Sequence, residues 1–378
     1  MKIIISFLWI LIISICTGQA QGIEHYTVFK AGEEGYHTYR IPAIAQAQDG
    51  TLIAIAEGRR DKSSDPGDGH IDIVYKLSCD GGQTWSPLLT LEKSKEGWSA
   101  SNPTVIVQNK GRILAFYDIW KPGRGQNQEN CRLGKPDNQV WFRTTDDNGK
   151  TWSKAKDITR QARDYKNWNS TVLGPGHGIE TSTGQLVLPG NAQYISDDNS
   201  VRLGSFALYS NDGGKNWERG QPLGVRTSEN QIVELNDGRL MINARQKDRS
   251  GKRVVAISSD RGKTWGEPTQ GQSSPPIAAG IIRYPRQDKS SLLLWCGPQT
   301  PKERTNLTLR LSSDQGISFP AELLVCSGPA AYSDITCINN GDVGILWEGG
   351  NGNAYEKILF TRIQQNIILN LDSQSSEK

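Results

Sequence analysis

SCDGGQTW, residues 78–85, is the first of five related octets; the others are TDDNGKTW at 145–152, SNDGGKNW at 210–217, SSDRGKTW at 258–265 and SSDQGISF at 312–319. The first four share Ser/Thr-x-Asp-x-Gly-x-Thr/Asn-Trp, and the fifth ends in Ser318-Phe319 instead. Asp suits a tight turn because its carboxylate accepts nearby amides, Gly supplies a positive φ, and the aromatic packs beneath a neighbouring strand. These octets therefore read as structural fasteners. Their aromatics Trp85, Trp152, Trp217, Trp265 and Phe319 recur at 67, 65, 48 and 54 residues. Each interval has room for one four-stranded unit.

Around the octets runs a second repeat of two apolar strands joined by a turn: AIAQAQDGTLIAIAEG, TVIVQNKGRILAFYDIW, GIETSTGQLVLPG, QIVELNDGRLMINAR, IIRYPRQDKSSLLLWCG and ITCINNGDVGILWEGG. Five of these six hairpins lead through a third strand into an octet, while the sixth leads into YEKILFTRI with none after it. A strand around HYTVF, residues 25–29, is expected to supply the missing outer strand of the last unit and leave no open edge. The expectation is an all-β chain, a six-bladed β-propeller over 21–378. No helical periodicity is long enough to argue for a second domain.

Composition agrees with a turn-rich globular chain. Of 378 residues, 40 are Gly and 17 Pro, charged residues make up 22% and hydrophobic ones 36%, which excludes disorder and coiled coil. A net charge of +3 without a basic stripe leaves nucleic acid no electrostatic footprint. Residues 1–22 join Lys2, an apolar run from Ile3 to Ile15, and the small residues Gly18 and Ala20. They read as a secretory signal cut after Ala20, because the run is shorter than the ~20 residues of a membrane span. A secreted or periplasmic protein is expected. Ile15 before Cys16 speaks against lipid attachment. The remaining Cys79, Cys131, Cys296, Cys326 and Cys337 are odd in number and contain no CxxC pair, so neither a disulfide framework nor a zinc site is indicated.

Following the antiparallel chain through each unit sorts its loops by pole. The start of strand 1, the end of strand 2 and the loop between strands 2 and 3 share one pole; the octets occupy the other. Arg40, Arg59, Asp65, Glu229, Arg245, Arg304 and Tyr332 all fall at the first pole. Converging guanidinium groups make a cationic pocket that pairs bidentately with a carboxylate. Asp61 and Asp68 share the loop of Asp65 and compete with it. His177 in GPGHGI and Trp120 in FYDIW lie in loops where lining the pocket and a structural role are equal alternatives, and the polar segment 121–138 is expected to be a long loop shaping it.

Tyr39-Arg40-Ile41-Pro42 resembles the YRIP motif of sialidases, and the octets resemble their Asp boxes, in the family's motif order over nearly the whole chain after residue 20. The resemblance implies that Arg40, Arg245 and Arg304 hold the carboxylate of a sialic acid, with Arg59 at the same edge. It further implies that Asp65 is the acid/base, Tyr332 the nucleophile and Glu229 its activating base. A phenol starts neutral, so it approaches an anomeric carbon bearing a carboxylate without the repulsion an Asp or Glu would meet; sialidases, with a Tyr nucleophile, depart in this way from the carboxylate pair of most glycosidases. The expected activity is retaining hydrolysis of terminal α-linked sialic acids from a sialylated glycan, with no metal or organic cofactor. The rivals are a non-catalytic sialic-acid-binding propeller, an enzyme transferring the sugar, and a glycosidase for a related nonulosonic acid.

Overall fold

The computed structural model describes residues 23–125, 131–286 and 290–376; the expected signal segment, with Cys16, lies outside the described residues. Strands dominate, joined into sheets of seven, five, nine and four members. Within them the chain makes successive antiparallel runs. The first is Thr38–Gln46, Leu52–Arg59, Ile71–Ser78 and Leu89–Glu92. The second is Ser99–Val107, Ile113–Trp120, Asn138–Thr145 and Lys156–Asp157. Trp168–Leu173, Leu186–Ile195, Val201–Ser210 and Glu218–Arg219 form the third. Thr227–Glu234, Leu240–Gln246, Lys252–Ser258 and Thr269–Ser273 form the fourth. Gly280–Pro285, Ser291–Pro298 and Thr305–Ser312 begin the fifth, and the long strand Ala321–Cys337 completes it with its first half. Its second half opens the sixth run, followed by Val343–Gly349, Lys357–Ile363 and, returning from the other end of the chain, His25–Lys30. The closing strand expected at HYTVF is thus present.

Each run is apolar on both faces, so it must be covered twice. An apolar cluster lies between every consecutive pair. Ile53, Ile55 and Tyr75 meet Val105 and Tyr117 between the first and second, and Phe116 and Phe142 meet Leu188 and Phe206 between the second and third. Similar clusters join third to fourth, fourth to fifth and fifth to sixth. Tyr39, Leu52 and Val74 meet Leu346 and Phe360 between the first and the last.

The octets pin these contacts. In the first, Asp80 Oδ1 accepts the amides of Gln83 and Thr84 at 3.0 Å each, and Ser78 Oγ accepts that of Gly82 at 2.9 Å. Hydrogen bonds from Thr84 hold Asp80 down at about 2, and Asp147 and Asp212 are held down to about 2 by the same geometry. Gly82 has φ +96, and a Cβ there would stand 2.0 Å from Phe360 Cε1 in the last run. Gly149, Gly214, Gly262 and Gly316 likewise face side chains of the run before their own.

Two elements differ from the sequence reading. The hairpin pattern puts the first strand of the third unit in GIETSTGQLVLPG, but Ile179–Glu180 makes only a two-residue pairing there. Trp168–Leu173 carries the longer one. Between them Pro175 has no N–H to give a ladder, and Gly176–His177 crosses to pair in parallel with Thr104 and Val105. The second difference is the helix Gln365–Ser376. It follows the unit that lacks an octet, buries Ile368 and Leu371 among Tyr284, Leu292 and Val343, and accepts Arg286 Nε on Asp372 Oδ2 at 3.0 Å. A helix therefore covers the ground that octets cover elsewhere.

Gly82→Ala should cost about 3 kcal/mol, from overpacking plus a left-handed alanine. Gly32→Ala, with φ +80 but nothing within 4 Å, should cost only about 1 kcal/mol; urea unfolding of the two variants checks the difference. The octet carboxylates give a second expectation. Their folded pKa values lie below the unfolded ~3.9, so their contribution is present above that pH and lost as pH falls towards 2. The melting temperature should drop across that window, and Asp80→Asn should flatten the drop.

Candidate active site

At one end of the first strands the register repeatedly slips: between Arg40 and Ala43, Ser101 and Thr104, Thr227 and Asn230, and Ala330 and Ser333. A bulge re-aims side chains that a regular strand would place alternately. Ile41, Asn102, Glu229 and Tyr332 lie inside these slips. Ile41 has φ 59, costly for a β-branched residue, and its amide donates to Glu348 Oε1 at 2.8 Å. The device repeats around the site. Glu57, at the end of a second strand, accepts the amide of Asn102 in the next run at 2.9 Å. Asp118 accepts that of Leu173 at 3.3 Å.

Tyr332, Glu229 and Arg245 meet from two different runs. The Tyr332 hydroxyl donates to Glu229 Oε1 at 2.5 Å and receives Arg245 Nη1 at 2.8 Å, while Arg245 also pairs with Glu229 Oε2. Burial pushes the Tyr332 phenol well above its ordinary value, and the cations Arg245, Arg304 and Arg40 only partly offset it. Burial also works against the charge of Glu229, yet Arg245 and the Tyr332 hydroxyl hold its carboxyl below the usual range. The pair is a neutral phenol on an ionised carboxylate. That is a proton donor in contact with its acceptor.

Arg40 donates through Nε to the fully buried Glu348 at 2.7 Å. Glu348 Oε2 also takes the Tyr332 amide at 3.2 Å, so one carboxylate positions both. Arg40 and Arg304 flank Tyr355: Arg40 lies 4.0 Å over its ring, and Arg304 donates to its hydroxyl. Arg40 and Arg304 also stand 5.4 and 5.9 Å from the Tyr332 ring centre.

Across the site Arg59 is buried, its Nε and Nη2 on Glu57 Oε2 at 2.9 and 2.7 Å. Its Nη1 reaches Ser63 O at 2.6 Å and Asp65 Oδ1 at 3.3 Å, so Arg59 shapes the loop that carries Asp65. Gly67 O accepts Gly123 N at 2.9 Å, and a Cβ on Gly125 would stand 2.1 Å from Pro66 O. Segment 121–138 therefore buttresses the Asp65 loop through residues 123–125. A cavity of about 140 Å³ results, lined among others by Ile41, Arg59, Asp65, Trp120, Glu229 and Tyr332. Asp68 pairs instead with Lys62 at 2.8 Å, and Asp61 accepts the His70 amide at 3.5 Å.

Of its two alternatives, His177 takes the structural one. It is buried away from this cavity, its Nδ1 2.6 Å from Asp334 Oδ1 and its Nε2 3.1 Å from Ile281 O. The parallel pairing of Gly176–His177 carries it into the middle of the fold. Glu348 and Tyr355 are residues that sequence reasoning missed. Both obey the pole rule, Glu348 at the end of a second strand and Tyr355 in the following loop. Cys79, Cys131, Cys296, Cys326 and Cys337 are all unpaired.

A bulged, arginine-lined pocket on an all-β chain with internal repeats defines a class, and comparison with known proteins agrees. The BNR repeat-like domain family matches residues 50–345. A sialidase of Bacteroides fragilis is 33% identical over 86% of this chain, which spans 63% of that relative's length. A sialidase of Clostridium perfringens is 32% identical, with 85% of this chain and 88% of the relative covered. The solved structure of a Hadza microbial sialidase superposes with a TM-score of 0.81 at 30% identity, covering 91% of this chain and 69% of that one. The chain belongs to the sialidase family.

Glu348→Ala would leave Arg40 buried without its anion and free the Ile41 and Tyr332 amides, and should cost about 3 kcal/mol or more. Glu348→Gln keeps an acceptor and should cost less; denaturant midpoints measure both.

Proposed function

We propose that this protein is an exo-α-sialidase that hydrolyses terminal α-linked sialic acids with retention. The observation that carries the reading is the Tyr332 hydroxyl held between Glu229 and Arg245 inside an arginine-lined cavity. The substrate carboxylate enters between Arg40, Arg245 and Arg304.

Tyr332 attacks the anomeric carbon as its proton passes to Glu229, and Asp65 protonates the departing oxygen. The carbon–oxygen bond to the aglycone breaks as the bond to Tyr332 forms. Asp65 then takes a proton from water, which displaces Tyr332 while Glu229 returns the phenolic proton. Two inversions give retention. Because burial raises the phenol's pKa, free phenolate is scarce, and the 2.5 Å contact makes transfer during attack the accessible route.

The scaffold for this site is proposed to be a six-bladed β-propeller in which each antiparallel run is a blade. The cluster between the first and last runs and the return of His25–Lys30 support closure of the ring. Cleavage after Ala20 and secretion or periplasmic location complete the reading. A sialylated glycan is the partner.

A 3-fluorinated sialosyl fluoride should leave a covalent sugar on Tyr332, seen by mass spectrometry of the digested protein. Tyr332→Phe should fold normally and lose at least about 10³-fold in kcat, and Glu229→Gln should slow adduct formation. A label on Asp65 or Glu229, with Tyr332→Phe fully active, would overturn the mechanism. Absence of sialic acid release from any sialoside would overturn the activity. Gly125→Ala, by pushing on Pro66, should lower kcat about 10-fold or more through displacement of Asp65.

A further inference from the structure

A second cleft, of about 670 Å³, opens from the Arg245 side of the cavity and shares Leu203, Arg245 and Lys247 with it. Its size is that of a ligand site. Arg202, Arg226, Arg245, Lys247 and Arg249 line it, and none of its lining residues is acidic. With a net charge of only +3 on the chain, such a concentration is local. Arg202 is engaged by Asp198 at 2.6 Å. Arg226 and Arg249 are exposed and make no side-chain hydrogen bond or ion pair among the described residues. Tyr194, Val201 and Val225 add apolar wall; the two valines are 56% and 40% exposed.

Chain geometry fixes these groups relative to the site. Arg226 directly precedes the strand that carries Glu229, Lys247 directly follows the one that carries Arg245, and Arg249 stands two residues further on. Arg249 is set by a left-handed φ of 59 and by donation of its amide to Gln246 Oε1 at 2.9 Å. The Asp65 loop and Gly125 take no part in the cleft. A concave surface of one sign focuses potential and draws a counter-charge, and guanidinium forks without internal partners suit carboxylates and sulfates.

We infer that this cleft holds a second anionic group of the same glycan, beyond the sugar seated in the cavity, so that the protein favours glycans with two neighbouring negative charges. The inference rests on the sialidase reading. The group is a carboxylate of an adjacent acidic sugar or a sulfate ester.

The test compares kcat/KM of the full-length protein on three glycans with one cleavable terminal sialic acid: one otherwise neutral, one with a second acidic sugar beside it, and one with a sulfate ester beside it. At least one charged glycan should be preferred about 10-fold, the effect of one charge-assisted hydrogen-bonded contact. Arg226→Gln/Arg249→Gln should bring the ratio towards one, and Arg226→Lys/Arg249→Lys should retain part of it. Preference for the acidic sugar alone assigns the carboxylate; preference for the sulfated glycan alone assigns the sulfate. Equal values for all three in the wild type, or a preference that survives the double Gln change, overturns the inference. Because the neutral glycan is the denominator, a misfolded variant lowers both terms and is seen as such. If none of the three is cleaved, the hydrolytic reading fails by itself, and calorimetric binding of the same glycans decides the cleft by the same ratio.

Discussion

A single buried carboxylate ties the two ends of the fold to the chemistry. Glu348 accepts Arg40 Nε, the Ile41 amide and the Tyr332 amide, so the start of the first run and the start of the last are held by one group. A buried carboxylate is costly unless its lone pairs are filled, and this one is filled by two bulges and a cation. Ile41 can therefore keep a strained φ, and Tyr332 can face the cavity. Glu57 and Asp118 repeat the latch between other runs, and Asp334, accepting the Ile44 amide at 2.8 Å, adds a second buried carboxylate between first and last.

The opposite pole solves a different problem. There the octets use Asp carboxylates to bind their own amides, and glycine to let a neighbouring side chain come close. One pole is thereby made of short turns bonded to themselves, while the other has bulged strand starts and long loops. Function gathers where the strands are irregular because a bulge is what points Tyr332 and Glu229 at each other from separate runs.

Electrostatics then divides the labour. Arg245 keeps Glu229 ionised and touches the Tyr332 hydroxyl, whereas Arg253, buried on the neutral groups of Asn243 and Ile277, is pushed down to about 9. Two arginines on adjacent strands thus differ because one has a carboxylate beside it and the other only carbonyls and an amide. Arg59 serves a third purpose, fixing the Asp65 loop from a buried position.

Much of this was legible in the chain. The octet spacing and the hairpin count gave the repeat, the missing last octet gave the returning strand, and the pole rule brought Arg40, Arg59, Asp65, Glu229, Arg245, Arg304 and Tyr332 together because strand direction alternates with every turn. Asp65 shares its loop with Asp61 and Asp68, and only the family resemblance singles it out in the sequence; the contact of Asp65 with Arg59 and of Asp68 with Lys62 is a matter of tertiary structure. The place of His177 was not legible for a related reason: Pro175 broke the ladder, and where a broken strand goes depends on partners far along the chain, here Thr104 and Asp334. The closing helix was invisible because its burial comes from contact with Tyr284 and Leu292, not from a strong pattern of its own. Local periodicity determined the strands and their pole, for it acts through neighbours in sequence. Which carboxylate meets which guanidinium was decided by tertiary packing, because that depends on desolvation and distance between residues as far apart as Arg40 and Glu348.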